Sequence, residues 1–284
     1  MVKIEDYGEY ETAWCPGCGN FQILEALKIA LVRCDLAPHQ VLFVSGIGQA
    51  AKTPHYLNGN VFNGLHGRSL PPAIGAKLAN HELTVIVESG DGCMYGEGGN
   101  HFLAAVRRNL DITILVHDNQ VYGLTKGQAS PTSLAEMKTK AQPHGVLSTP
   151  FPPLATALIL GAGFVARGLA GRTEELADLI ARAIRYKGTA LVDIMQPCVS
   201  FNPVNTFAWY KERCRELEAD YDRADLAQAL VKAMEFGDRI PVGVLFEKEK
   251  KTFEQQLPML AQGPLVERSF DREAFAGIVE SYRV

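Results

Sequence analysis

No stretch of the 284-residue chain approaches the roughly 20 consecutive apolar residues that a membrane-crossing helix needs. A basic excess is missing too. Lys and Arg number 28 against 32 Asp and Glu, a net charge of −4, which argues against a nucleic-acid-binding role. The opening residues, MVKIEDYGEYETAW, are acidic and lack the apolar core of a secretory signal, so a cytoplasmic location is expected. The six cysteines, Cys15, Cys18, Cys34, Cys93, Cys198 and Cys214, are too few for a disulfide framework in a chain of this length. They read as buried thiols or metal ligands. No second CxxC completes a zinc ribbon, and no GxGxxG opens a helix after a strand, which disfavours a plain NAD-binding protein. Internal repeats and low-complexity tracts are also lacking.

What is present is strand–helix alternation. Val41–Ser45 (VLFVS), 84–88 (TVIVE), 112–117 (ITILVH), Phe164–Leu169 and Ala190–Met195 are short, continuous apolar runs, as expected of strands buried on both faces of a parallel sheet. Asn20 reads as an N-cap for a helix carrying Ile23, Leu24, Leu27 and Leu31 on one face. Leu176, Leu179, Ile180, Ala183 and Ile184 form a second apolar stripe, with Gly188 as its stop. The pattern predicts an α/β fold with a doubly wound, open, mostly parallel sheet. Residues 211–284 hold 12 basic and 15 acidic side chains and little glycine. The expected division is therefore 1–210 as the ligand-binding domain and 211–284 as a C-terminal extension. That extension should carry an amphipathic helix (Leu226, Leu230, Ala233, Met234) and form a solvated layer or an arm on a partner subunit.

Ligands of such sheets bind beyond the carboxyl ends of the strands. Four unusual loops leave the predicted strands there: 45–49 (SGIGQ), 89–93 (SGDGC), 117–125 (HDNQVYGLT) and 196–198 (QPC). In the second, Gly90 and Gly92 leave backbone N–H groups open to an anion, and the Asp91 carboxylate can hold a divalent cation against a diphosphate. A lone GDG is common in turns. After twenty-five intervening residues (93–117), however, Asp118-Asn119 follows another strand. The Asn119 amide oxygen and the Val121 carbonyl would complete an oxygen set suited to Mg²⁺. GDG, helix, strand and then Asn together resemble the diphosphate signature of thiamine-diphosphate enzymes. Residues 14–20 (WCPGCGN) place Cys15 and Cys18 where Cys198 can join them. Thiolates gathered beside an organic cofactor favour an iron–sulfur cluster over a zinc half-site or a redox dithiol.

These motifs together resemble the β subunit of the 2-oxoacid:ferredoxin oxidoreductases. The match runs through WCPGCGN, SGIG, 65–79 (LHGRSLPPAIGAKLA), GDG-x25-DN, 121–132 (VYGLTKGQASPT) and 196–213 (QPCVSFNPVNTFAWYKER). The stretch 239–246 (RIPVGVLF) is familial as well. The resemblance implies thiamine diphosphate with Mg²⁺ on Asp91, Asn119 and Val121. It puts Gly46, Ile47, Gly48, His66, Gly67, Arg68, Gly90, Gly92, Cys93, Tyr122, Gly123, Leu124 and Thr125 along the cofactor. It also implies a [4Fe-4S] cluster on Cys15, Cys18 and Cys198. The fourth ligand of the family is a cysteine where this chain has Gln49, and Cys93 is a candidate to replace it.

The implied activity is CoA-dependent oxidative decarboxylation of a 2-oxoacid to acyl-CoA and CO2. Electrons pass through the cluster to ferredoxin, and the reverse reaction becomes available with a low-potential donor. A glutamate from a different domain would activate the cofactor, so an α or γα partner and a heterotetramer are implied. Lys52 and Lys126 are expected to read a distal carboxylate. The LTK sequence at 124–126 resembles the 2-oxoglutarate-type enzymes more than the pyruvate type. Arg107 and Arg108 read as a solvated helix face or a ferredoxin contact, Cys34 and Cys214 as ordinary thiols, and His55, His101 and His144 as structural. Two alternatives lie outside this reading: a non-oxidative thiamine-diphosphate decarboxylase or carboligase subunit, and a non-catalytic metal or redox module.

Overall fold

A computed structural model describes residues 1–283. The predicted strands form where the apolar runs placed them. β1 is Val41–Ser45, β3 Thr84–Gly90, β4 Thr113–Asp118, β7 Phe164–Leu169 and β8 Ala190–Met195. The short strand β2 (Asn60–Asn63) flanks β1, and β5 (Val121–Tyr122) pairs with β6 (Gln128–Ala129) in a separate hairpin. Two late strands, β9 (Cys214–Glu216) and β10 (Ile240–Glu247), complete an eight-stranded sheet of order β2-β1-β3-β4-β8-β7-β10-β9. All neighbours pair in parallel except β7 and β10.

Alternation along each strand divides the core between the two faces. Phe43, Ile86, Leu115, Ala166 and Val192 pack under α1 (Asn20–Arg33) and α5 (Thr173–Arg185). Val44, Val87, Val116, Val165 and Leu191 pack under α2 (Leu70–Ala79), α3 (Gly99–Arg108) and α4 (Pro153–Ile159). The chain moves across the sheet one way through α2, α3 and α4 and returns from β7 to β8 through α5. A reversal of direction puts the connecting helix on the opposite face when crossovers keep one hand. The chain order also reverses around β1, which is flanked by β2 and β3, and this leaves a crevice at that end of the strands.

One predicted cap is displaced. α1 is capped by Gly19, and Asn20 is its first helical residue with no capping contact. Its side chain is used elsewhere: Asn20 Oδ1 lies 2.8 Å from His117 Nδ1 in the buried core. Beyond residue 210 the chain carries more than the expected amphipathic helix. α6 (Phe207–Arg213) leads into β9, α7 (Leu226–Met234) packs against α4, β10 joins the main sheet, and α8 (Arg272–Ser281) buries none of its side chains. Among the described residues no helix is long and apolar enough to cross a membrane.

Candidate functional site

Three loops meet over the carboxyl ends of β1, β3 and β4. Residues 46–49 leave β1, and residues 91–97 leave β3 through the π-type turn Gly92–Glu97; residues 119–125 leave β4. Together they wall a pocket lined by Asp91, Asn119, Val121 and every predicted cofactor residue except Gly46, Gly67 and Arg68. Gly46 and Gly67 lie behind the wall. A Cβ on Gly46 would fall 2.5 Å from Cys93 Sγ, and the Gly67 N–H donates to the same sulfur at 3.1 Å. Arg68 is exposed and lines no part of the pocket. Glycine is also required at 92, where a Cβ would stand 2.3 Å from Tyr122 Cε1. Without a side chain there, the Tyr122 ring closes over the turn.

Asp91 sits on the floor of the pocket and is 1 % exposed. Ser130 Oγ donates to its Oδ2, as does Thr132 Oγ1 at 2.7 Å, and the backbone N–H groups of Gly92 and Asn119 also favour its charged form. Burial outweighs them and pushes its carboxyl up. Asn119 is held on the same side by two bonds: its Oδ1 accepts from Val121 N at 3.0 Å, and its Nδ2 donates to Gln196 Oε1 at 3.0 Å.

Two more acids lie beneath Asp91. Thr132 Oγ1 is 2.7 Å from Asp118 Oδ1 as well as from Asp91 Oδ2. A hydroxyl carries a single proton, so one of these contacts has to be supplied by the acid. Asp118 is that acid, because burial, then Asp193 and Asp91, raise its pKa well above the usual carboxylate range. Asp193 accepts from Tyr95 OH at 2.6 Å and faces the buried Arg167. The Arg167 Nη2 donates to Ala233 O at 2.8 Å, and its Nη1 to Glu235 O and Pro241 O at 3.2 Å each, so the guanidinium closes the C-terminal end of α7. Arg167 thus opposes the charge of Asp193, while among the described residues no cation opposes the shift of Asp91.

Burial raises the Asp193 carboxyl to about 6, with Tyr95 and Arg167 opposing. Between its ordinary value and about 6 the folded chain holds a proton that the unfolded chain has lost, so wild-type stability falls as pH rises through that window. Asp193→Asn does not titrate there. The stability difference between Asp193→Asn and wild type should therefore move in the variant's favour from pH 4 to above pH 6 and then level off. Urea unfolding at a series of pH values measures it, and a difference independent of pH would contradict the assignment.

The three predicted cluster cysteines surround a second pocket that abuts the first. Cys15, Cys18 and Cys198 line it with Trp14 and Phe201, and Gln49, Asn119 and Gly123 line both pockets. Burial pushes the Cys18 thiol up to about 11, with the neighbouring Cys198 and Cys15 adding to the shift. Among the described residues no three His, Cys, Asp or Glu side chains converge closely enough to hold a metal by themselves. Cys93 is not brought to the other three. It lies in the first pocket, where its sulfur accepts the N–H groups of Ile47 (3.4 Å) and Gly67 (3.1 Å). Lys52 and Lys126 line neither pocket, and Lys126 is exposed.

Sequence reasoning missed Ser130, Thr132 and Gln196 as site residues. Gln196 lines the cysteine pocket and accepts from Nδ2 of Asn119, which lines both pockets, while its own Nε2 reaches Cys18 Sγ at 3.4 Å and Pro197 O at 2.8 Å. The only sequence signal for these residues was their presence in the loops ASPT and QPC.

A family model described as thiamine pyrophosphate enzyme, C-terminal TPP binding domain, matches residues 39–194. A second, for the C-terminal part of the pyruvate ferredoxin oxidoreductase beta chain, matches residues 198–262. The chain is 44% identical to 2-oxoacid:ferredoxin oxidoreductase 2, subunit beta, of Aeropyrum pernix, over 88% of this chain and 85% of that protein. It is 30% identical to the 2-oxoglutarate synthase subunit KorB of Methanocaldococcus jannaschii over 88% and 92%. Among solved structures, a 2-oxoglutarate:ferredoxin oxidoreductase from Magnetococcus marinus with 2-oxoglutarate, coenzyme A and succinyl-CoA bound superposes with a TM-score of 0.91. That match has 33% identity and covers 98% of this chain and 96% of that one. The diphosphate-type domain predicted from the loops is thus borne out, and the chain belongs to the β-subunit family of the 2-oxoacid:ferredoxin oxidoreductases, a family of oxidoreductase enzymes.

Proposed function

We propose that this chain holds thiamine diphosphate, Mg²⁺ and an iron–sulfur cluster in a CoA-dependent oxidoreductase that acts on 2-oxoglutarate and passes electrons to ferredoxin. The observation that carries the reading is the charge deficit of the pocket floor. Asp91 is buried with hydroxyl and N–H donors around it and no cation opposing its shift among the described residues, since Arg167 faces Asp193, and a divalent cation at Asp91 is the counter-charge this arrangement lacks. The donor set beside it, one carboxylate, the Asn119 amide and the Val121 carbonyl, suits Mg²⁺ with phosphate oxygens and water. Bound thiamine diphosphate supplies an electron sink for decarboxylation, and an iron–sulfur cluster takes electrons one at a time.

The protein's part is to bind, orient and exclude water. The turn at 90–92 offers backbone N–H groups to the diphosphate, and Tyr122, Leu124 and Thr125 wall the pocket. Cys15, Cys18 and Cys198 hold the cluster against that wall, with Gln196 tying the two sites together. The active site is completed by an α or γα partner in a heterotetramer, the segment 211–284 serves as the arm toward it, and the assembly works in the cytoplasm in either direction.

The test is co-expression with the partner subunit under argon and an assay of viologen reduction against a panel of 2-oxoacids. The expected result is a brown complex whose reduction rate requires CoA and is highest with 2-oxoglutarate. A colourless complex, or turnover independent of CoA, would overturn the reading. Lys126 follows Thr125 of the pocket wall, and its ammonium is the cation we assign to the distal carboxylate of the substrate. Lys126→Ala should raise KM for 2-oxoglutarate by about tenfold, the cost of leaving one charge of a pair unmatched, and leave KM for pyruvate nearly unchanged. Equal effects on both substrates would remove Lys126 from the specificity site.

A further inference from the structure

We propose that Gln49 is the fourth ligand of the cluster, with its amide Oε1 on the iron that Cys15, Cys18 and Cys198 leave open. This inference rests on the proposed cluster. Gln49 lines the same pocket as the three thiols, and its Oε1 is buried with no hydrogen-bond partner among the described residues. A buried, unpaired amide oxygen is unfavourable and calls for a partner from outside the polypeptide.

The other polar groups around the pocket are already engaged. Asn119 is bonded to Val121 and Gln196, and Gln196 is bonded to Asn119, Pro197 and Cys18. Ser200 is exposed, and among the described residues no His, Asp or Glu lines the pocket. Cys93 lies in the neighbouring pocket, its sulfur occupied by two backbone N–H groups. The backbone of Gln49 is fixed to the cysteine turn, because its carbonyl accepts from Trp14 Nε1 at 2.8 Å and Trp14 immediately precedes Cys15.

An amide oxygen is a hard, neutral ligand among soft thiolates. The iron it holds is therefore the one that leaves most easily, and the site carries one negative charge fewer than a four-thiolate site, which raises its potential. Oxidation should expose this. Ferricyanide removes one electron from the [4Fe-4S]²⁺ core, and the resulting [4Fe-4S]³⁺ core splits into [3Fe-4S]⁺ and Fe²⁺.

The complex with its partner subunit would be reconstituted anaerobically as wild type, Gln49→Cys and Gln49→Leu, titrated with ferricyanide, and followed by released Fe²⁺, electron paramagnetic resonance and midpoint potential. Wild type should release one iron per cluster and develop the three-iron signal. Gln49→Cys should cut that release by about tenfold and show a lower potential, and Gln49→Leu should be isolated already depleted of the fourth iron. Wild type that keeps its iron as firmly as Gln49→Cys, or Gln49→Leu with a full four-iron cluster, would overturn the ligand assignment. So would a cluster present in Gln49→Cys and absent from wild type. No iron in any of the three would overturn the cluster itself, and with it the function proposed above.

Discussion

Asp91→Asn is expected to abolish Mg²⁺-dependent binding of thiamine diphosphate while leaving the fold intact. The substitution preserves shape, and the amide oxygen can still accept from Ser130 and Thr132, although its NH2 cannot accept the backbone N–H groups of Gly92 and Asn119 that also favour the carboxylate. What it removes is the charge. At a buried site, losing one member of a charge pair costs about 2–5 kcal/mol, and about 1.4 kcal/mol is tenfold in Kd, so the affinity should fall on the order of 10²-fold or more. Removal of a charge that burial disfavours should leave the ligand-free variant close to wild type in stability near neutral pH, since the Asp91 carboxyl is raised by burial. Calorimetric titration of cofactor with and without Mg²⁺, beside a thermal melt, separates the two effects. Unchanged affinity would detach Asp91 from the metal.

Gly67→Ala is expected to act through the backbone and without regard to cofactor. Gly67 has φ +74°, and a Cβ there would lie 2.4 Å from the Glu97 carbonyl carbon and 2.6 Å from its oxygen. Two chain segments meet at that point without a side chain between them. One is the His66–Gly67 turn and the other the end of the turn Gly92–Glu97, where His66 Nδ1 also lies 3.2 Å from Glu97 Oε2. The left-handed conformation costs a residue with a Cβ about 1–2 kcal/mol. Overpacking adds about 1–3 kcal/mol, for a total of about 2–5 kcal/mol. In a chain of this size the melting temperature should fall on the order of 10 °C. Because the displaced segment begins at Gly92, cofactor binding should weaken as well. A melt within a degree or two of wild type would contradict this packing.

How far the sequence could be read depended on where each element sits. Strands β1, β3, β4, β7 and β8 are buried on both faces and therefore appear as predominantly apolar runs, interrupted by Arg167 in β7 and Asp193 in β8. The edge strand β2, NVFN, is exposed at every residue and leaves no such trace. β10 was obscured by Pro241 and Gly243. Proline is tolerated there because residues 240–242 pair only with β9, and pairing with β7 begins at Gly243.

The loops proposed to hold Mg²⁺ could be read because diphosphate chemistry demands glycine, carboxylate and amide at fixed places after two strands. The groups that hold those residues could not. Ser130 and Thr132 reach Asp91 across about forty positions of sequence. Asp193 lies inside an apolar strand, ALVDIM, and its partners Tyr95 and Arg167 come from the turn after β3 and from β7. Gln49 stands out in the sequence as a missing cysteine, but its buried, unpaired oxygen shows only once the loops are folded together.

Whether Asp91 and Asn119 clasp one divalent ion against a diphosphate can be seen directly by loading the complex with Mn²⁺ in place of Mg²⁺ and recording electron–nuclear double resonance. One Mn²⁺ should bind per chain only when thiamine diphosphate is present, show phosphorus hyperfine coupling, and be lost in Asp91→Asn. Mn²⁺ that binds equally without the cofactor, or shows no phosphorus coupling when both are bound, would mean that these loops do not form the diphosphate site.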